Sequence, residues 1–462
     1  MGYALGIDIG TTFSAAAIAR DGRAEMVTLT SRAATIPSVV HLGADGEASV
    51  GDVAVRRGLT EPERVAREFK RRLGDPVPIM VGGAPMSAQA LMALLAGEIV
   101  RIVTEREGAA PERICLTHPA NWGAYRLELF SEVPRLANLG EVSFTSEPVA
   151  AATHYARDQR LPVGTTVAVY DLGGGTFDAV VLRSTPDGYQ LLGPAEGIER
   201  LGGVDFDAAV RHHVDAALGG LLSRLDGTAE SGSGDDDLLA AGARLRQDCV
   251  DAKEALSDDT AASIPVFLPG TRSDVRLTRA EFEEMIRPSL DQSSAALIRA
   301  IRSVGLTPAE IDRVLLVGGS SRIPLVAQVV GSAVGRPVAV DAHPKHAVAL
   351  GAALIAELPR PAASMPSVPA GDADSDSDNE PVPAIPAAPA VPEAPAPVEV
   401  PQVVGALPMP PVVEAPPVVE APPVVEAPPV VAPPQPPSRR RWWFLAAAVL
   451  VVAVVIAAVV LI

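Results

Sequence analysis

Gly6-Ile7-Asp8-Ile9-Gly10-Thr11-Thr12-Phe13-Ser14 and, far downstream, Asp171-Leu172-Gly173-Gly174-Gly175-Thr176-Phe177-Asp178 decide the fold of this chain. Each is an apolar run that reaches an acidic residue, then Gly and Thr, then a second apolar run. The pattern predicts two β-hairpins with tight turns that Gly permits. Gly lets backbone N–H groups approach an anion, and Thr hydroxyls add donors. The Asp residues suit a cation held through water rather than the phosphate itself. One such hairpin is commonplace. Two, one in each half of a domain, make a clamp for a nucleoside triphosphate and its Mg²⁺.

Outward from these motifs, residues 1–358 alternate strand-like and helix-like stretches, as an α/β domain does. Strand-like runs include Ala4–Ile9, Arg113–Thr117, Thr166–Tyr170, Ala179–Leu182 and Val314–Val317. Helix-like runs include Ser87–Glu105, Pro148–Arg157, Phe206–Leu218, Ala240–Ser257 and Arg279–Val304. Thr278 with Glu281 forms a capping-box pattern at the start of the last. Ser231–Asp237 reads as a polar, acidic surface loop.

The motifs resemble the phosphate loops of the 70-kDa heat-shock chaperone family, within the actin-like ATPase superfamily. Four further stretches resemble that family's motifs, in its order: Lys70–Gly74, Ser146–Ala152, Leu201–Asp207 and Val317–Pro324. The resemblance covers residues 1 to about 358. It implies two similar lobes around a nucleotide cleft, ATP or ADP as ligand, Mg²⁺ as cofactor, and slow ATP hydrolysis. By position it places Asp8 and Asp171 on the water shell of the Mg²⁺, with Asp178 nearby. Gly10, Thr11, Thr12, Phe13, Gly173, Gly174, Gly175 and Thr176 fall at the phosphates. Lys70, Glu147, Asp171 and Thr176 match the catalytic positions. Taken alone, Lys70 beside Arg67, Arg71 and Arg72 reads as a solvated basic face; only the resemblance assigns it to the γ-phosphate and the attacking water.

On the adenosine side, the resemblance implies roles for Gly202, Gly203, Lys253, Ser257, Gly319, Ser320 and Arg322. The chain departs from the family pattern at Val250, where a ribose-binding Glu is usual, and at Glu254, where a base-stacking Arg is usual. Lys345 also stands where Asp is frequent. One lost charge-assisted hydrogen bond costs about 1.5–3 kcal/mol, so weaker nucleotide binding is expected. Thr117–Trp122 with Arg126 is similar to a relay that carries nucleotide state to a partner domain. The Asp171–Asp178 motif fits filament-forming and sugar-kinase branches of the superfamily poorly.

The formal charge of −18 argues against nucleic acid as a partner, because phosphate binding needs basic surface. Cys115 and Cys249 lie far apart without metal-ligand spacing, and read as a buried strand residue and a helix residue. His212 with His213, and His343 with His346, read as surface residues. No signal peptide is expected at the N-terminus, where Met1 leads almost at once into the first strand.

Residues 359–438 have a different composition. An acidic patch, Asp372–Glu380, is followed by Pro, Ala, Val and Glu, and Pro-Pro-Val-Val-Glu-Ala repeats from Pro410 to Ala427. This predicts a disordered, extended spacer that reaches on the order of 200 Å at full stretch. The family's β-sandwich and helical lid, which grip peptides, have no counterpart in this composition. Trp442–Ile462 carries no charge, and its 21 residues span roughly 31 Å as a helix, enough to cross a bilayer core. Arg439-Arg440-Arg441 and the pair Trp442-Trp443 precede or open it as interfacial anchors do. The expectation is a single-pass C-terminal anchor in the cell membrane, with residues 1–358 on the cytoplasmic side. Two functions fit: a membrane-anchored ATPase of chaperone type acting with unidentified clients or partners, or a weakly hydrolysing ATP-sensing switch or scaffold.

Overall fold

The computed structural model describes residues 2–358 apart from 32, 160, 187, 230–235, 337 and 341–343. The expected spacer and apolar run, with the boundaries at 438 and 439, lie outside the described residues. Among the described residues no helix is long and apolar enough to cross a membrane.

Both motifs form hairpins. Ala4–Asp8 pairs antiparallel with Phe13–Arg20, which sets Asp8 opposite Ala15. Thr166–Leu172 pairs antiparallel with Phe177–Thr185, which sets Asp171 opposite Asp178. The alternation of apolar side chains holds each register, since a slip by one residue would turn the buried face outward.

Each hairpin seeds a six-stranded mixed sheet. In the first, Arg113–His118 runs parallel to Ala4–Asp8, and Val142–Ser146 parallel to Arg113–His118, while Arg23–Met26 extends the other side antiparallel. In the second, Arg313–Val317 runs parallel to Thr166–Leu172, Val338–Val340 follows parallel, and Gly188–Leu191 closes the antiparallel side. Strand order and direction are the same in both. The chain therefore builds one sheet twice, in two lobes, as the actin-like ATPase fold requires.

Two helices join the lobes. Glu147–Gln159 follows the outer strand of the first sheet directly, and Pro344–Glu357 follows the outer strand of the second. They pack on each other, the C-terminal one also against Ala4–Asp8 and Phe13–Arg20, the other against Thr166–Leu172. Their shared core is built from small residues, including Ala150, Ala151, Ala152, Ala349, Ala352 and Ala353. Larger side chains fill the separate cores of the lobes: Phe69, Leu91 and Phe130 in the first, Tyr170, Phe206 and Phe282 in the second.

The helix–helix contact is as close as backbone permits. A Cβ at Gly351 would fall 1.7 Å from the Ala150 carbonyl oxygen. Gly6, inside the first motif, has the same cause: its Cβ would meet the Ala353 nitrogen at 2.1 Å. This glycine thus admits the C-terminal helix rather than a ligand.

The capping box at Thr278 forms, with both hydrogen bonds to Glu281 present. Cys115 and Cys249 are buried, in a strand and a helix respectively. The Ser231–Asp237 loop is shorter than expected: Asp236 and Asp237 already belong to the helix Asp236–Ala255, and 231–235 lie outside the described residues. Two consecutive acids suit a helix N-terminus, where the dipole favours negative charge.

Gly351→Ala should cost about 2 kcal/mol or more, because the clash is with backbone that no rotamer change relieves. Thermal unfolding of the variant beside wild type checks this; an unchanged melting temperature would mean that the two helices are free to part.

Candidate active site

The two hairpin turns meet at the head of a cleft of about 590 Å³. Gly174 faces Thr12 and Gly175 faces Thr11, so closely that a Cβ on either glycine would lie within 2.4–2.5 Å of the threonine side chain. Behind the second turn, the Gly203 and Val204 N–H groups donate to the Gly173 and Gly174 carbonyls at 3.1 and 2.8 Å. Ser320 Oγ donates to the same Gly173 carbonyl at 2.8 Å. The turn is thus held from two sides, by the start of helix Gly203–Ala217 and by the turn Gly319–Arg322.

Lys70 sits in the short 3-10 turn Phe69–Arg72, and only 5% of it is exposed. This overturns the reading of a solvated basic face. Its Nζ donates to Glu147 Oε1 at 2.5 Å and lies 6.0 Å from the centre of the Trp122 ring. Glu147 is buried as the first residue of its helix. Asp8 is at the last position of its strand, and its Oδ1 accepts from Thr117 Oγ1 on the neighbouring strand at 3.0 Å. Asp171 and Asp178 face each other across the second hairpin, both buried.

The electrostatics follow from this crowding. Burial, with Glu147 adding to it against the pull of Lys70, raises the Asp8 carboxyl to about 6. Burial and then the charges of Glu147, Asp178 and Asp8 push Asp171 well above the ordinary carboxylate range. Burial and Glu147 raise Asp178 to about 8. Burial works to lower the Lys70 ammonium, but Glu147 and Asp8 outweigh it and hold it above its usual value. Asp178 Oδ1 is buried without a hydrogen-bond partner and lies against Gly197.

Asp8, Gly10, Thr11, Thr12, Phe13, Lys70, Glu147, Asp171, Gly173, Gly174 and Thr176 all line the cleft. So do Gly203, Lys253, Ser257, Gly319 and Ser320 farther in. Helix Asp236–Ala255 presents Arg246, Val250, Lys253 and Glu254 to it, with Ser257 just beyond, at the three-to-four spacing of one helix face. Lys253 is already engaged: it pairs with Asp207 at 2.7 Å and donates to the Gly203 carbonyl at 3.2 Å. Gly175, Asp178, Gly202 and Arg322 stand behind or beside the wall. Gly202 packs against the Gly174–Gly175 backbone, and Arg322 is half exposed, 4.0 Å from Asp258. The side chain of Lys345 lies outside the described residues, as does His343. His212 is exposed and His346 half-buried.

Sequence reasoning gave no role at the site to Arg71, Asp205 or Asp207. Arg71 sat in a basic run beside Lys70, and both acids sat inside Leu201–Asp207, where only the glycines drew a role.

The donor set fits a nucleotide with a hydrated cation. Ionised carboxyl oxygens suit Mg²⁺, which keeps several waters, and hydroxyls, N–H groups and an ammonium suit phosphate. Among the described residues no three carboxyl, imidazole or thiol groups are grouped to hold a metal ion directly.

Two lobes with duplicated sheets and a cleft between their hairpin turns define an actin-like ATPase domain. The profile of the Hsp70 protein family matches residues 4–368, and the chain belongs to that family. Its members bind ATP and ADP, typically with Mg²⁺, hydrolyse ATP and act on client proteins.

The raised carboxyls make stability depend on pH. Asp178 binds its proton more tightly in the folded chain than at its ordinary value of 3.8. Its stabilising contribution is full below about pH 4 and is lost as pH rises through about 8. Without nucleotide or Mg²⁺, the melting temperature of Asp178→Asn should fall less than that of wild type over this range. Parallel curves for the two proteins would remove Asp178 as the source.

Proposed function

We propose that residues 1–358 bind Mg·ATP and hydrolyse it slowly, and that the whole chain is a membrane-anchored ATPase of chaperone type. One observation carries the reading. A buried lysine, fixed by Glu147, shares a cleft with both hairpin turns and with Asp8 and Asp171. Phosphoryl transfer asks mainly for positioning and charge stabilisation, and these groups supply both.

In this reading the turn N–H groups of Gly10, Gly174 and Gly175, with the hydroxyls of Thr11, Thr12 and Thr176, donate to phosphate oxygens, while the Gly173 N–H closes the turn onto the Thr176 carbonyl at 3.1 Å. Asp8 and Asp171 would hold a Mg²⁺ through water, and that ion would supply positive charge beside the phosphates. Glu147 aims the Lys70 ammonium at the charge that develops on the transferred group and on the attacking water. Thr117 fixes the Asp8 carboxylate. Gly203, Lys253, Ser257, Gly319, Ser320 and Arg322 flank the nucleoside. Asp8 and Asp171 would have to be ionised to hold the cation, whose positive charge would favour that form.

The sequence of 359–462 supports the rest. The Pro-rich repeats suit a spacer, and Arg439–Arg441 with Trp442–Ile462 suits a single membrane-spanning helix with the ATPase on the cytoplasmic side. No peptide-gripping sandwich is patterned in those residues.

A second reading, an ATP-sensing switch or scaffold that barely hydrolyses, is favoured by Val250 and Glu254 on the cleft face of their helix. Single-turnover assays with the full chain separate the two: phosphate release from bound ATP supports the first, and tight ATP binding without release supports the second.

Lys70→Ala should leave ATP binding largely intact and lower turnover by about 100-fold, as loss of a transition-state charge partner does. Wild-type turnover in the variant would remove Lys70 from the chemistry. Deleting 439–462 should move the protein from the membrane to the soluble fraction with ATPase activity retained. Persistent membrane association of the deletion would refute the anchor.

A further inference from the structure

Lys70 and Arg71 are neighbours in one short turn and reach into opposite lobes. Lys70 binds Glu147, at the end of the first sheet. Arg71 crosses to the second lobe. Its Nε donates to the Gly175 carbonyl at 2.7 Å, and its Nη2 donates to the Asp205 carboxylate. Gly175 is in the second hairpin turn, and Asp205 is in the first turn of helix Gly203–Ala217. The same guanidinium therefore grips the second phosphate loop itself and the helix start that holds it.

Local geometry supports a built device. The turn begins after Glu68, which lies in the left-handed region at φ 55° and ψ 20°, a conformation unusual for a residue with a side chain. The Glu68 carboxylate is 3.6 Å from Arg71 Nη1. Arg71 is also wedged against the turn: a Cβ on Gly175 would fall 2.8 Å from its Nε. The Arg71 and Asp205 side chains are 14% and 34% exposed, so their ion pair is screened less than a fully exposed one. The contrast is Arg126 with Glu199, a cross-lobe pair at 2.6 Å whose carboxylate is 64% exposed.

We propose that Arg71 is a positioning residue that fastens the second phosphate loop to the turn carrying Lys70, so that the cleft opens for nucleotide release only when the Arg71 contacts break. The proposal rests on the cleft being an ATP-hydrolysing site. It gives one side chain two effects. While Arg71 is engaged, Lys70 and the Gly173–Thr176 turn keep a fixed separation, which the chemical step needs. When it disengages, the lobes part and product leaves. Its planar fork reaches a carbonyl and a carboxylate together, which a lysine ammonium cannot match in geometry.

The test uses the full-length chain, a fluorescent ADP displaced by excess ADP, and single-turnover hydrolysis of ATP. Arg71→Met keeps the stem and removes the fork. It should release ADP about tenfold faster and hydrolyse bound ATP about tenfold slower, the loss expected for a charge-assisted hydrogen bond. Asp205→Asn should release ADP faster in the same direction, and adding it to Arg71→Met should change little. Arg101→Met, at an exposed pair within helix Ala88–Glu107 that touches neither the cleft nor the second lobe, should stay within about twofold of wild type.

Release and hydrolysis both within about twofold of wild type in Arg71→Met would overturn the proposal, as would effects that multiply in the double variant. If Arg71→Met does not fold, Asp205→Asn carries the test, and its unchanged release overturns the proposal. Failure of the wild-type chain to bind the fluorescent ADP would sink the nucleotide reading itself; binding with unaltered release in the variants sinks the Arg71 role alone.

Discussion

One buried ammonium set among four carboxyl groups is the constraint around which the cleft is arranged. Lys70 is directly paired only with Glu147, while Asp8, Asp171 and Asp178 crowd the same region with little water around them. Like charges brought together out of water cannot all stay ionised, and the raised pKa values of the three Asp residues express that. The protein carries this unfavourable arrangement because the fold over-determines it: each carboxyl sits on a strand end or helix start whose own packing is secure. In the proposed reading a hydrated divalent cation with a polyphosphate would relieve the conflict, adding positive charge beside the carboxyls and negative charge beside Lys70 and the turn N–H groups.

That arrangement depends in turn on how closely the lobes are joined. Two large cores, rich in Leu, Ile, Val and Phe, fill the two lobes separately. Between them lies a contact of alanines and glycines, with Gly351 against Ala150 and Gly6 beneath Ala353. Small residues allow backbones to approach without interlocking side chains. Such a seam holds the lobes together at their base while leaving the cleft mouth to specific polar links. Arg71 with Gly175 and Asp205, and Arg126 with Glu199, are links of that kind. The hydrophobic seam joins the lobes at their base, and the polar links join them across the cleft.

Much of the fold was legible because hairpins, capping boxes and amphipathic helices are local. Gly and Thr after an acidic strand end specify a tight turn wherever the chain goes next, and both hairpins stand where Asp8 and Asp171 mark them. The capping box at Thr278 and the buried cysteines follow from neighbours in sequence. The run Lys70-Arg71-Arg72 was not legible in the same way. Three adjacent basic residues look alike in sequence, yet the turn sends Lys70 inward, Arg71 across the cleft and Arg72 to Asp75 nearby. The glycines divide likewise: Gly173 and Gly174 face the cleft, whereas Gly6 and Gly202 make room for protein.

The sequence by itself determined the alternation of strands and helices, the paired hairpin turns, and the change of composition after residue 358. These rest on periodicity and turn chemistry, which act over a few residues. Only the tertiary structure decided that Glu147, 77 positions from Lys70, is its partner, and that Arg71 spans 134 positions to Asp205. It also decided that Thr117 steadies Asp8, and that Val250, Lys253 and Glu254 share a cleft with both hairpins. The reason is physical. A charge is tuned by what surrounds it in space, and those surroundings are assembled from separate strand ends only when both sheets have closed on the helices between them.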